Sequence, residues 1–192
     1  MRVGPTKLPF MARQNPIQPL RPAPSGAKAS APLYTPQERV RRDESVWTLV
    51  QGVLAPVQFL VFLVSLGLVW RYLATGEGLA AANISVVVKT LTLYTIMVTG
   101  CIWEKVVFGR YLFAPAFYWE DVFSMLVLAL HTAYLVALFT GLLDARSLMI
   151  LALVAYATYV INATQFILKL RAARLGDTAR RQAADLSTEV AA

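Results

Sequence analysis

Four long apolar runs, at about 46–72, 84–108, 122–143 and 148–170, set the pattern of the chain. Each holds at least about 20 residues, enough at about 1.5 Å per residue to cross a hydrocarbon core about 30 Å thick. Lipid offers no partner for backbone N–H and C=O groups, so each run must be a helix. The linkers at 73–83, 109–121 and 144–147 are short and force neighbouring helices antiparallel. The fold class expected is all-α: a polytopic membrane protein built as an antiparallel four-helix transmembrane bundle. The runs show no internal repeat of the inverted-transporter kind.

Polar segments flank this core. Residues 1–36 carry eight of the ten prolines and read as a disordered, basic leader. It is either a dispensable extension or a tether to a membrane surface. Thr35, Pro36 and Glu38 stand at the N-cap, N1 and N3 positions of a helix start, opening a short polar helix before the first span. The domain plan is a leader at 1–36, a transmembrane domain at 37–172 and a polar cytoplasmic tail at 173–192.

Composition agrees with lipid. Apolar residues make up 57% of the 192 and charged residues 15%, where a soluble domain carries about a quarter. One cysteine excludes an internal disulfide framework, and one histidine excludes a His-pair metal site. The net charge of +7 is not that of a nucleic-acid binder, because the basic residues lie in the leader or flank the apolar runs. Arg39, Arg41, Arg42, Lys105, Arg110, Lys169, Arg171, Arg174, Arg180 and Arg181 fall on one side, and Arg71 and Arg146 on the other. By the positive-inside rule both termini are cytoplasmic. Lys89 lies inside the second span, where it is expected to snorkel or pair.

Polar side chains within the spans fall on helical faces. The first span carries Gln51, Gln58 and Ser65, with Pro56 set to kink it. The second carries Thr92, Thr95 and Thr99, then Glu104 and Lys105. Asp121, Ser124 and His131 share a face of the third, and Thr158, Asn162, Gln165 and Lys169 one of the fourth. Gln51, Glu104, Lys105, Glu120, Asp121, Asn162 and Gln165 therefore lie toward the cytoplasmic leaflet. His131 lies about 15 Å deeper. This is either a set of helix–helix hydrogen bonds or a polar pocket opening to the cytoplasm.

Two further features bear on chemistry. The hairpin from Phe108 to Trp119 has six aromatic residues in twelve. It is either an aromatic belt or the mouth of a site for a flat apolar ligand. His131 is open to three roles: packing, ligation of a tetrapyrrole metal, or proton transfer. The chain has no haem-attachment motif, phosphate loop or dinucleotide fingerprint.

From about Leu33 to Arg174 the chain resembles the 3-vinyl (older naming, 2-vinyl) bacteriochlorophyllide hydratase family. The resemblance rests on Leu33-Tyr34-Thr35-Pro36, Trp47-Thr48-Leu49-Val50-Gln51-Gly52, Leu54-Ala55-Pro56-Val57-Gln58-Phe59 and Trp103-Glu104-Lys105-Val106-Val107-Phe108-Gly109. It continues in Tyr111-Leu112-Phe113-Ala114-Pro115, Trp119-Glu120-Asp121-Val122-Phe123-Ser124, Leu130-His131-Thr132 and Tyr159-Val160-Ile161-Asn162. It implies a hydro-lyase of bacteriochlorophyll biosynthesis, in the inner or photosynthetic membrane of a bacterium. Such an enzyme adds water to the 3-vinyl group of chlorophyllide a or a related bacteriochlorophyllide, giving a 3-(1-hydroxyethyl) group. A dehydrogenase acts next and is a candidate partner.

Vinyl hydration needs an acid to protonate the terminal carbon, a positioned water and a slot for the flat ring. No cofactor is on that list. A carboxyl group at the edge of lipid, near a second one, suits the acid because a bare charge there is costly. The catalytic candidates are Glu104, Asp121 and Glu120, with Glu104 or Asp121 donating the proton and the other orienting water. Gln51, Gln58 and Asn162 are expected to hold water or ring substituents. His131 is expected to ligate the substrate's magnesium, and Lys105 or Arg110 to meet its propionate. The competing expectation is a non-catalytic chlorin-binding or assembly subunit, which His131 and the aromatic hairpin would serve equally well. A small transporter fits less well, for want of a repeat.

Overall fold

The computed structural model describes residues 32–191; the leader through residue 31 lies outside the described residues. Among these the elements are helical: α1 (Pro36–Glu44), α2 (Val46–Thr75), α3 (Leu79–Phe108), α4 (Tyr118–Thr140) and α5 (Ala145–Ala191). Four of the helices, α2 to α5, are long and apolar enough to cross a membrane.

α2, α3 and α5 run past the boundaries that hydropathy gives, whereas α4 is shifted toward its N-terminus and ends at Thr140, short of the expected 143. Only residues 76–78 separate α2 from α3. α5 continues without a break through the polar tail, and its Asp177 accepts a 2.6 Å hydrogen bond from Arg39 of α1. α2 runs through Pro56 as one helix.

Thr35 caps α1 as the sequence predicts. Its hydroxyl accepts from the Glu38 N–H, Glu38 bonds back to the Thr35 N–H, and Pro36 follows. The chain just before this cap is not solvated, however. Tyr34, placed in the leader by sequence, is only 4% exposed and packs with Val107 and Phe117.

α2 pairs closely with α3, and α4 with α5, so the bundle is two antiparallel hairpins. Side-chain hydrogen bonds fix their registers: Gln51 to Thr99 and Ser65 to Ser85 across α2–α3, and Asn162 to Ser124 across α4–α5. The hairpins meet each other more lightly along α3–α4, where Tyr94 and Thr132 share a 2.8 Å bond. A core of Phe62, Val69, Val86, Leu93, Val127, Tyr134, Met149 and Tyr156 fills the centre. Large apolar side chains such as Leu60, Val64, Leu91, Val98, Phe139 and Ile167 face outward, as lipid requires.

Thr92 and Thr95 do not extend the polar interior. Their hydroxyls donate to the Val88 and Leu91 carbonyls of their own helix. A threonine can satisfy itself one turn back, so its presence in a span does not place it in a polar pocket.

Candidate active site

The turn from α3 to α4 builds the site. Gly109 ends α3 with φ +79°, a left-handed conformation that costs glycine little, and its N–H closes on the Lys105 carbonyl. The chain then crosses at Phe113, which also has a left-handed φ, +58°. A bulky residue holds that conformation at a cost, so the turn must be fixed by what it contacts. The contacts are two carboxyl groups. The Phe113 N–H donates to Asp121 Oδ2 at 2.7 Å, and the next N–H, of Ala114, reaches Glu104 Oε2 at 3.4 Å.

Consecutive amides thus clamp one carboxyl from the end of α3 and one from the start of α4. Glu104 is 6% exposed and Asp121 3%. The two carboxyl groups are thereby gathered at one turn, each on one of two consecutive backbone amides. Cys101, one turn before Glu104, is close enough to feel both electrostatically.

The third carboxylate is engaged elsewhere. Glu120 is buried but bonds Lys169 at 2.6 Å, and the Lys169 ammonium also lies 5.1 Å from the centre of the Phe117 ring. Lys105 does not pair with Glu104. It donates to the Gly109 carbonyl and leans over Tyr111, exposed like Arg110 at the rim.

The hairpin aromatics divide by role. Phe108 and Phe117 turn inward with Trp103 around Tyr34, whose ring stacks on Phe108, while Trp103 and Phe108 meet Phe117 edge to face. Phe113, Tyr118 and Trp119 stay exposed and touch in sequence, with ring centres 5.7 and 5.5 Å apart. The segment is therefore neither wholly a belt nor wholly a ligand mouth.

The amides scatter along the bundle. Gln51 donates to Thr99 at 2.7 Å, and Asn162 to Ser124 at 2.8 Å, the latter one turn from Asp121. Gln58 is buried on α2, away from the acid pair, with Oε1 unpartnered. His131 is not at the pair either. Its Nδ1 bonds the Val127 carbonyl at 2.8 Å, and its ring lies 5.8 Å from that of Tyr156, in the closed centre of the bundle. Lys89 lies there too. It neither snorkels nor meets an acid, and its ammonium sits 3.8 Å from the centre of the Tyr159 ring.

Sequence reasoning missed Tyr156, Tyr159 and the Phe113 amide. The tyrosines could have been found from their three-residue spacing ahead of Asn162 on one helix face. The amide leaves no trace in side-chain chemistry.

Two clefts of about 300 and 230 Å³ lie apart from the acid pair. One is lined by Pro32, Tyr34, Pro36, Arg39 and Arg180, the other by Phe62, Leu66, Leu153, Tyr156, Ala157 and Val160. Among the described residues no group of three or more His, Cys, Asp or Glu is arranged to hold a metal ion.

Fold and site together define a small integral-membrane protein with a buried dicarboxyl centre at one end of a four-span bundle. The comparisons narrow this class. The family model described as 2-vinyl bacteriochlorophyllide hydratase matches residues 34–172, and the chain belongs to that family. It is 66% identical over 159 residues to the 2-vinyl bacteriochlorophyllide hydratase of Cereibacter sphaeroides, covering 83% of this chain and 96% of the relative. It is 71% identical over 143 residues to the protein of the same name from Rhodobacter capsulatus, covering 74% of this chain and 83% of the relative. No solved structure matches.

Proposed function

We propose that the Glu104–Asp121 pair is the proton-transfer centre of a hydratase that adds water to the vinyl group of a bacteriochlorophyllide. The hydratase activity rests on family membership and on the two similar hydratases. The single observation that carries the site is the amide-clamped carboxyl pair, which sets one carboxyl from each helix against consecutive backbone N–H groups. Protonation of the terminal vinyl carbon by one carboxyl leaves a cation spread over the macrocycle. Water attacks the inner carbon, and the other carboxyl takes its surplus proton. The pair ends the cycle with one proton, as it began, so no net acid is consumed.

Only a two-carbon group has to reach the pair. The ring itself lies on the lipid side of the α3–α4 seam, one of the two lightly packed seams between the hairpins. Exposed Phe113, Tyr118 and Trp119 form its ledge. Lys105 and Arg110 at the rim meet the propionate. Asn162 and Ser124 hold water beside Asp121. Glu120, fixed by Lys169, maintains the architecture and takes no part in the chemistry. His131 ligates no substrate magnesium in this scheme, because its free nitrogen is closed off inside the bundle.

The basic asymmetry supports both termini facing the cytoplasm, and so an active site in the cytoplasmic leaflet. Reporter fusions at each end check this. Hand-over of a poorly soluble product favours contact with the dehydrogenase that oxidises the new alcohol.

Membranes containing the protein are incubated with 3-vinyl chlorophyllide in oxygen-18 water, without nucleotide or reductant. The product should gain one labelled water, and its red absorption band should shift to the blue as the vinyl conjugation is lost. Unchanged pigment that co-purifies would point instead to a binding subunit.

A further inference from the structure

The centre of the bundle holds a second polar group that the acid pair does not use. Lys89 from α3 and His131 from α4 are both 0% exposed. Among the described residues the Lys89 ammonium has no hydrogen-bond partner, and neither does His131 Nε2. The rings they meet, Tyr159 and Tyr156, stand three residues apart on α5. Both rest on α5, Lys89 on the ring of Tyr159 and His131 against that of Tyr156. A tyrosine face partly compensates an ammonium, but it accepts none of its hydrogens in line. Unpaired polar groups at such depth are costly and mark function.

The chemistry of the two orphans selects their ligand. His131 donates its Nδ1 hydrogen to the Val127 carbonyl, which leaves a lone pair on Nε2. Lys89 offers only hydrogens. A simple anion would suit Lys89 but would confront that lone pair. Water satisfies both, accepting from Lys89 and donating to His131.

The same chemistry continues toward the acid pair. Asn162 Oδ1 and Gln165 Oε1 are also buried acceptors without a partner among the described residues. Asn162 follows Tyr156 and Tyr159 at three-residue steps on α5, and it bonds Ser124, one turn from Asp121. His131 stands about 15 Å from Asp121 along α4.

We propose that Lys89 and His131 hold a water molecule in the centre of the bundle, and that Asn162 and Ser124 relay water from there to Asp121. The file supplies the water consumed in the hydration, entering from within the protein while the apolar ring covers the lipid side. This rests on the reading of Glu104 and Asp121 as the proton-transfer pair.

His131 is the only histidine in the chain, so isotope-labelled histidine gives a single imidazole signal. The full-length protein is placed in lipid vesicles, and transfer of magnetisation from water to that imidazole is followed by solid-state NMR. Transfer should be as rapid as to residues at the membrane surface, and it should be lost in Lys89→Met. The same variant should lower kcat about tenfold with KM for the pigment unchanged, and Lys89→Gln, which restores a donor, should recover part of the rate. An imidazole that receives nothing from water overturns the proposal, as does Lys89→Met with the native kcat. If Lys89→Met does not assemble, the transfer measurement on the native protein decides alone. Glu104→Gln separates the two ideas: inactive with the water signal intact leaves both standing, whereas fully active removes the acid-pair reading and not the hydrated core.

Discussion

Replacing each carboxyl of the pair by its amide tests the chemistry with little disturbance to the fold. In Asp121→Asn the side-chain oxygen still accepts the Phe113 N–H, now 2.7 Å away, and the new NH2 group points toward Glu104. In Glu104→Gln the oxygen still faces the Ala114 N–H. The turn therefore keeps its clamp, and no buried polar group is left orphaned. What disappears is the transferable proton in one case and its acceptor in the other. A positioned acid or base contributes about 10²–10⁴-fold to rate, about 3–5 kcal/mol of barrier. Each variant should lose kcat by that factor, while KM moves little because the ring contacts are elsewhere. The assay is hydration of 3-vinyl chlorophyllide in purified membranes, followed by the blue shift and by mass in oxygen-18 water. Equal expression and an unchanged thermal midpoint establish that the variants are folded. Full activity in both folded variants would refute the dicarboxyl mechanism.

Other consequences follow from the same geometry. Phe113→Pro removes the amide that holds Asp121 and cannot adopt a positive φ, so it should abolish activity, whereas Phe113→Gly relieves about 1 kcal/mol of backbone strain and keeps the amide, so it should retain kcat while raising KM through loss of the ledge ring. Alkylation of Cys101, the lone cysteine, should block hydration because the residue stands one turn before Glu104 on α3, and bound pigment should slow the labelling; equal labelling rates would move the ring away from the α3–α4 seam. Lys169→Met strands a buried carboxylate at Glu120 and should cost about 2 kcal/mol of stability, read as a lower thermal midpoint, with kcat in the folded fraction preserved.

The chain's own pattern determined the architecture. Four runs of spanning length leave helix as the only backbone solution in lipid, and short linkers leave antiparallel neighbours as the only arrangement. The cost of burying polar groups also made the inward faces legible, so Asp121, Ser124 and His131 fall together on α4 as spacing requires. Periodicity assigns a face, however, and not a partner. It could not say that Glu120 is held by Lys169 while Asp121 meets Glu104, since a rotation of about 100° separates the neighbours and tertiary packing chooses what each one faces. Nor could it say that Lys105 turns to its own helix end, or that Thr92 and Thr95 bond their own backbone. The amide clamp depends on a left-handed Phe113, a backbone state that residue type disfavours and that only contacts from two helices impose. Lys89 shows the same limit from the other side. Its place in a span was plain, but its closure against Tyr159 beside His131 arises only when three helices converge on one point.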